Sequence, residues 1–273
     1  MTRPSWFIQL RENYPSDQKI AYSAMEQGMK VFMEPYEHGE MNYDFLSNKG
    51  PVIVYGSVAL LQDLSDKAGS LPFTPALWSH WDSFCCRTFY SRWESWLLQR
   101  KFEFVPIGDM KRRWDALIDD YGINDRVFLR PDAGNKDFNG GIVKRDYFNA
   151  WHGTAMRFSP PPDSLVVVAS PEKILAEYRL FIADGVVVAG SKYKTGEFVC
   201  PEPGYHDQAR QVAETAAKVW SPARVFCIDV AETPAGFRIV ECNPFNCAGV
   251  YESDLRLLTA GVERIAIEEL ATG

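Results

Sequence analysis

The first third of the chain alternates short β-rich runs with stretches of helical periodicity. The predicted strands are residues 6–10, 30–33 and 52–55, and the predicted helices are residues 17–27 and 58–67. Gly28 ends the first helix, and Ser57 caps the second at a turn that directly follows a strand. Strands that alternate with helices in this way indicate a parallel α/β unit.

Aromatic residues become frequent in the next part of the chain. Residues 72–108 are rich in Trp, Phe and Arg, which fits either a wall of a substrate cleft or a helix packed between domains. Helices are predicted at residues 93–101 and 110–121. Residues 151–162 end in three prolines and are predicted to be irregular.

β-Hairpins dominate the second half. The predicted elements are strands at residues 164–169, 175–182 and 186–193 and helices at residues 206–220 and 255–270. Because side chains alternate along a strand, Glu177 and Arg179 share one face while apolar residues take the other. Lys192, on the partner strand, is expected to face the same cleft as Arg179.

A further hairpin surrounds the turn at residues 233–236. A loop of odd length places Asp229 opposite Glu241, and Asn243 then joins the same face. A two-residue turn would instead place Asp229 against Val240. The odd loop is favoured because it gives the other face an apolar layer, made of Phe226, Ile228, Val230 and Val240.

Two carboxylates and an amide on one face have a specific chemical use. Hard divalent cations such as Mg²⁺ take oxygen ligands of this kind, usually together with substrate phosphates. The alternative from these residues alone is a half-exposed hairpin with ordinary surface acids.

A glycine-rich loop follows the predicted strand at residues 127–130. It contains Gly134, Gly140 and Gly141, and two cations, Arg130 and Lys136, lie within six residues of one another. Glycines let backbone N–H groups approach an anion. The loop does not match GxxxxGK[ST], so it is not a Walker motif. A phosphate clamp and a flexible polar hairpin loop both fit this stretch.

Composition narrows the range of partners. The net charge of −7 gives no general affinity for nucleic acid or anionic membranes. No run of about 18 apolar residues is present, and the start of the sequence lacks the apolar core of a signal peptide. None of the six cysteines forms a CxxC pair, so free thiols in a reducing cytoplasm are expected.

Together these motifs resemble the ATP-grasp superfamily over residues 127–251. The most specific part is Asp229 followed twelve positions later by Glu241 and two positions after that by Asn243, within the segment Val240-Glu-Cys-Asn-Pro. Arg130 stands where most members carry a lysine. The pattern Arg-Pro-Asp-x-Gly-x-Lys-x-Phe-x-Gly is similar to that of a divergent clade found in bacteria and phages.

The resemblance implies roles for these residues. Asp229, Glu241 and Asn243 are expected to bind Mg²⁺ or Mn²⁺, and Arg130 and Arg179 are the expected catalytic cations. The residues expected to bind ATP are Arg130, Lys136, Gly140, Ala169, Ser170, Glu177 and Lys192. Of these, Ala169 and Ser170 would lie beside the adenine.

The resemblance also implies a fold and an activity. The expected fold class is α/β (α+β), with an ATP-grasp fold at residues 106–273 and an N-terminal α/β pre-ATP-grasp domain at residues 1–105. A lid-like subdomain is expected at residues 126–170 and a metal-binding subdomain at 171–273.

The implied activity is a carboxylate–amine ligase that uses ATP and Mg²⁺. Its substrates would be small molecules or a peptide or protein acceptor. A phosphotransferase and a non-catalytic ATP-binding protein are the alternatives. The protein is expected to be cytoplasmic, without membrane or nucleic-acid partners, and a homodimer is common among family members.

Overall fold

The computed structural model describes residues 3–36, 41–47, 49–78, 80–134 and 138–272. The strands are β1 (Ser5–Gln9), β2 (Val31–Glu34), β3 (Pro51–Tyr55), β4 (Thr74–Ala76), β5 (Phe102–Pro106), β6 (Arg126–Pro131), β7 (Gly141–Lys144), β8 (Leu165–Ala169), β9 (Ala176–Ala183), β10 (Val186–Thr195), β11 (Phe198–Pro203), β12 (Val225–Thr233) and β13 (Gly236–Pro244). The helices are α1 (Pro15–Glu26), α2 (Val58–Asp66), α3 (Cys86–Trp93), α4 (Met110–Tyr121), α5 (Phe148–Ala155), α6 (Asp207–Val219) and α7 (Leu255–Thr272).

The N-terminal part forms a parallel sheet, in the order β2-β1-β3-β4. The predicted strand–helix alternation is therefore confirmed. Ser57 caps α2, because its Oγ accepts a hydrogen bond from the N–H of Leu60 at 3.1 Å. Gly28 adopts a φ of +74° directly after α1, which suits a glycine at the end of a helix.

A second sheet, here called the lid sheet, has the order β5-β8-β6-β7 and is antiparallel throughout. Helix α4 packs on it through Trp114, Leu117 and Ile118. The predicted boundary between residues 105 and 106 falls inside β5. The domain boundaries stay a prediction, but β5 belongs structurally to the lid sheet.

The third sheet, here called the central sheet, is antiparallel in the order β11-β10-β9-β12-β13. One of its faces forms a core with α3 and α6. On the other face, Phe181 and Ala183 of β9 share a core with α1, α7 and the N-terminal sheet. Glu177 and Arg179 lie on this second face of β9 as well, because side chains alternate along the strand. The polar cleft and the apolar contact with α7 therefore occupy successive lengths of one surface.

Two sequence predictions of local structure are wrong. Residues 93–101 are not a helix, because α3 ends at Trp93 and a short 3-10 turn leads into an extended segment. There the N–H of Leu98 donates to the carbonyl of Ile239 at 2.8 Å, so tertiary pairing with β13 replaces helical bonding. Residues 151–162 are not wholly irregular, because α5 continues to Ala155 before the prolines begin.

The other predicted elements are present with small shifts at their ends. No strand was predicted at β11, whose residues are mostly exposed at the edge of the central sheet and give no buried alternation. Within the described residues, no helix is long and apolar enough to cross a membrane.

Candidate active site

The hairpin of β12 and β13 brings two acids together by a route that differs from the predicted one. Its turn contains two residues, since Thr233 pairs with Gly236. The pairing continues to Val230 and Ile239, and a register shift then places Asp229 opposite Glu241. The predicted odd loop is therefore wrong, whereas the predicted opposition of the two acids is confirmed. The extra residue in the ladder is Val240, in the manner of a β-bulge.

The bulge also changes the apolar layer. Phe226, Ile228 and Val230 are fully buried on the face predicted for them. Val240 is only partly buried and lines a cavity instead. Ile239 and Cys242 take the corresponding places in the core, because the bulge shifts the alternation of β13 by one residue.

Arg179 is paired with Asp229 across neighbouring strands. Its Nε and Nη2 donate to the two carboxylate oxygens of Asp229 at 2.8 and 2.7 Å, and its Nη1 donates to the carbonyl of Gly249 at 3.2 Å. Both side chains are buried, with Asp229 only 1% exposed. Burial alone lowers the pKa of Arg179, but the charge of Asp229 outweighs it and the pKa is raised well above its ordinary value. The guanidinium therefore remains charged at every working pH.

Arg130 makes a second contact of the same kind between two sheets. From β6 of the lid sheet, its Nη2 donates to Glu241 at 2.7 Å and its Nη1 donates to the carbonyl of Val240 at 2.9 Å. The ζ carbon also lies 5.9 Å from the ring centroid of Phe89 on α3. A planar fork can satisfy a carbonyl and a carboxylate at once, which a lysine ammonium cannot do in this geometry.

Asp229, Glu241 and Asn243 form one oxygen-rich group. The Nδ2 of Asn243 donates to Glu241 Oε1 at 2.9 Å, and the Nη2 of Arg179 lies 3.8 Å from that same oxygen. A cation thus already lies beside both carboxylates, so the site is built to hold positive charge. Two carboxylates and an amide oxygen are suitable ligands for Mg²⁺, so the donor set fits the metal that the sequence implies. In the described part of the chain, no group of three or more His, Cys, Asp or Glu side chains could hold a metal ion, so the amide belongs to the proposed set.

A third group of contacts centres on Glu177. Lys194 donates to its Oε1 at 2.6 Å, and the hydroxyl of Tyr193 donates to its Oε2 at 2.5 Å. The same hydroxyl lies 3.3 Å from Asp229 Oδ2. Tyr193 therefore connects Glu177 to the pair formed by Arg179 and Asp229.

Lys192 does not face this cleft, which corrects the sequence prediction. Lys192 pairs with Tyr178, which lies on the opposite face of β9 from Arg179, and its ammonium contacts Glu202 at 2.8 Å. A register shift between Lys192 and Lys194 then turns Lys194 towards Glu177. The cation at the cleft is consequently Lys194.

A cavity of about 620 Å³ lies between the lid sheet and the central sheet. Its polar lining includes Arg130, Glu177, Tyr193, Lys194 and Glu241. Its apolar lining includes Leu98, Phe128, Phe138, Ile142 and Ile174. A cavity of this size with one polar region is typical of small-molecule sites, which range over about 300–1,000 Å³.

The remaining predicted residues lie at different distances from this cavity. Gly140 lines it, and a Cβ there would lie 3.2 Å from the Cβ of Arg130. Ala169 is fully buried, and neither it nor Ser170 is among the lining residues, which include residues 171–174 just after them. Lys136 lies outside the described residues.

Sequence reasoning missed three contributors to the site. Tyr193 and Lys194 reach the cleft because of an irregularity in β10, and Tyr251 lies beside Arg179 from a loop after β13. The strand signal at residues 186–193 carried no sign of the irregularity. The loop after residue 246 had no regular pattern from which its contacts could be predicted.

Comparison with known proteins identifies the class to which this fold and site belong. The model of an ATP-grasp domain family, described as family 3 of its clade, matches residues 73–264. The chain therefore belongs to the ATP-grasp superfamily. Within it, the chain is a member of that clade's family 3. The expected ATP-grasp architecture, of mixed α/β class, is confirmed.

Solved structures of ATP-grasp ligases share the fold. A D-alanine–D-alanine ligase from Bacillus anthracis aligns with a TM-score of 0.63 at 11% identity, covering 100% of both chains. The D-cycloserine synthetase DcsG aligns with a TM-score of 0.60 at 11% identity, covering 95% of this chain and 99% of that one. The ATP-grasp ligase PsnB, in complex with a minimal precursor, aligns with a TM-score of 0.56 at 13% identity, covering 96% and 99%. No protein of curated function matches the chain in sequence.

Proposed function

We propose that the protein is an ATP- and Mg²⁺-dependent ligase that joins a carboxylate to an amine. The observation that carries the proposal is the convergence of Arg130, Arg179, Asp229, Glu241 and Asn243 at one region of a 620 Å³ cavity between two sheets. Membership of the ATP-grasp superfamily and a fold shared with three ligases support it.

The cavity lining supports one orientation of the nucleotide. Phe128 and Ile174 offer apolar surface to a base, and residues 171–174 directly follow the predicted hinge strand that ends at Ala169 and Ser170. Arg130 and Lys194 offer positive charge to phosphates, since both line the same cavity. Glu177 would then meet the ribose or the phosphates beside Lys194.

Asp229, Glu241 and Asn243 would hold Mg²⁺, which would neutralise charge on the phosphates when bound. Arg130 and Arg179 would then exchange carboxylate partners for phosphate oxygens. Such an exchange keeps each buried cation compensated, because an unpaired charge in a buried site is strongly unfavourable.

The reaction would proceed in two steps. The substrate carboxylate attacks the γ-phosphorus of ATP, which releases ADP and forms an acyl phosphate. The amine then attacks the acyl carbon, and inorganic phosphate leaves with formation of an amide. Arg130 and Arg179 would stabilise charge on the transferring group, and closure of the lid sheet would keep water from the acyl phosphate.

The proposed substrates are a small carboxylate and an amine, or a peptide or protein acceptor. A cytoplasmic location, a homodimer and the division of the chain at about residue 105 remain predictions. The phosphotransferase and the non-catalytic nucleotide-binding protein are outcomes of the same experiment.

Incubation with ATP, Mg²⁺ and a pool of amino acids and short peptides, followed by mass spectrometry, tests the proposal. ADP, phosphate and a product with the mass of an amide are expected, and the Asp229→Ala/Glu241→Ala variant should form none. A phosphorylated product would contradict the ligase in favour of the phosphotransferase. ATP binding without turnover across the pool would favour the non-catalytic protein. Unchanged turnover in the double variant would show that the metal assignment is wrong.

A further inference from the structure

Two tyrosine rings lie against the guanidinium of Arg179. Its ζ carbon is 5.6 Å from the ring centroid of Tyr193 and 5.2 Å from that of Tyr251. The two rings are stacked on one another, with centroids 4.7 Å apart and planes 10° from parallel. Cations within about 6 Å of an aromatic face are attracted to it, and the attraction grows when the pair is shielded from water.

Irregular backbone puts both rings in place. Tyr193 is the extra residue of β10, where the pairing with β9 shifts between Lys192 and Lys194. Tyr251 has a φ of +48°, a left-handed conformation that few side chains other than Asn and Asp adopt. Two unusual backbone conformations therefore converge on one stacked pair. Irregularities of this kind are found disproportionately at functional sites.

The stack gives Arg179 a second anchor beside Asp229. In the structure, Asp229 accepts two hydrogen bonds from Arg179, whereas the carbonyl of Gly249 accepts one. A metal at Asp229 would draw that carboxylate away from Arg179, because one carboxylate cannot keep both oxygens on the arginine and also coordinate the metal. The rings and the Gly249 carbonyl make no use of the Asp229 oxygens and would still hold the guanidinium.

We propose that Tyr193 and Tyr251 are positioning residues, whose stacked rings hold the Arg179 guanidinium at the phosphate region of the cavity when Asp229 turns to the metal. This inference rests on the proposed function in that it needs ATP and Mg²⁺ to bind in this cavity. It assigns no chemical step to the tyrosines, which act through Arg179.

Nucleotide binding to variants of Tyr251 tests the inference. Tyr251→Leu removes the ring, Tyr251→Phe keeps it, and Tyr22→Leu alters an exposed tyrosine on α1. Isothermal titration calorimetry with a non-hydrolysable ATP analogue and Mg²⁺ should show affinity about tenfold weaker for Tyr251→Leu, the size expected of a shielded cation–π contact. Tyr251→Phe and Tyr22→Leu should stay within about twofold of the wild type.

A second ligand separates positioning from loss of structure. AMP lacks the β- and γ-phosphates, so its affinity by ligand-observed NMR should be the same for Tyr251→Leu and the wild type. Tyr193→Leu should reproduce the behaviour of Tyr251→Leu with both ligands. Equal affinity of Tyr251→Leu and the wild type for the ATP analogue would overturn the inference while leaving the proposed function intact.

Parallel losses for AMP and the ATP analogue would also overturn it, because they indicate a general structural role. A wild type that fails to bind the analogue with Mg²⁺ would overturn the proposed function and, with it, this inference.

Discussion

Arg130 of the lid sheet donates to Glu241 of the central sheet at 2.7 Å. Its second donor takes the carbonyl of Val240, the residue that the β-bulge inserts beside Glu241. The bulge thus supplies one acceptor for Arg130 and aligns the other with Asp229. A residue predicted to bind phosphate and a residue predicted to bind metal neutralise one another across the cleft.

This contact predicts that lysine cannot replace Arg130. In Arg130→Lys, one ammonium cannot span the carbonyl and the carboxylate, so one buried acceptor loses its partner. The free energy of unfolding should fall by about 1–3 kcal/mol, the range for a buried hydrogen bond to a charged group. Affinity for ATP with Mg²⁺ should fall about tenfold.

Urea denaturation and calorimetry measure these two effects. The matched control is Arg126→Lys, an exposed arginine at the start of the same strand. Wild-type stability and affinity in Arg130→Lys would contradict the account.

Lys192 and Lys194 provide an internal comparison two residues apart. Lys194 contacts Glu177 within the cavity, whereas Lys192 contacts Glu202 on the other face. Lys194→Met should weaken ATP binding about tenfold through the loss of a buried charge contact. Lys192→Met should leave it unchanged, as calorimetry on both variants would show. The reverse order of effects would restore the original sequence prediction for Lys192.

Strand alternation accounts for both the success and the failure of the sequence predictions at the site. Asp229, Glu241 and Asn243 were predicted to share a face because their spacing has the parity of a strand, and the structure confirms the contact. The turn length was predicted wrongly because a bulge offsets an even turn, and a bulge leaves no pattern in a short sequence. An irregularity in β10 likewise moved the cleft cation from Lys192 to Lys194.

The fold was more predictable where local periodicity and burial agree. Helix α4 has the same bounds as predicted, with Met110, Trp114, Leu117 and Ile118 buried on one side. Residues 93–101 had helical composition, but pairing of Leu97 and Leu98 with Ile239 competes for that backbone. Contacts between residues far apart in sequence decided the outcome there, and a local pattern does not contain them.

The cysteines should react in an order set by burial. Burial raises the pKa of Cys86 and of Cys227 to about 12, so both remain thiols at pH 8, whereas Cys200 and Cys247 are only partly buried. Because the thiolate is the reactive form, Ellman's reagent at pH 8 should label Cys200 and Cys247 first.

All six thiols should react once the chain is unfolded in urea. Cys200→Ser should remove part of the early reaction without changing the later one. Early labelling of Cys86 or Cys227, located by mass spectrometry, would contradict their burial.

Asp184 provides a test of stability against pH. Hydrogen bonding from Arg224 lowers the pKa of Asp184 below 3.8, so its contribution to stability is present at neutral pH and is lost as pH falls through the lowered pKa. Asn tolerates the left-handed conformation of this turn residue, so Asp184→Asn removes the charge with little backbone strain.

The loss at pH 7 should be below about 1 kcal/mol, because the pair is partly exposed and screened. It should shrink in urea denaturation at pH 2.5, while Asp163→Asn, an exposed control, should change neither value. A loss that is undiminished at pH 2.5 would contradict the charge pairing.

Binding of ATP by the wild type and by Asp229→Asn/Glu241→Gln, measured by calorimetry with Mg²⁺ and with EDTA, tests the central claim most directly. The substitutions keep side-chain size and remove the two charges proposed to hold the metal. The account predicts that Mg²⁺ strengthens wild-type binding at least tenfold and that the double variant shows no such gain, while both chains unfold cooperatively. An equal gain from Mg²⁺ in the double variant would contradict the assignment of the cleft as the site of ATP and its metal.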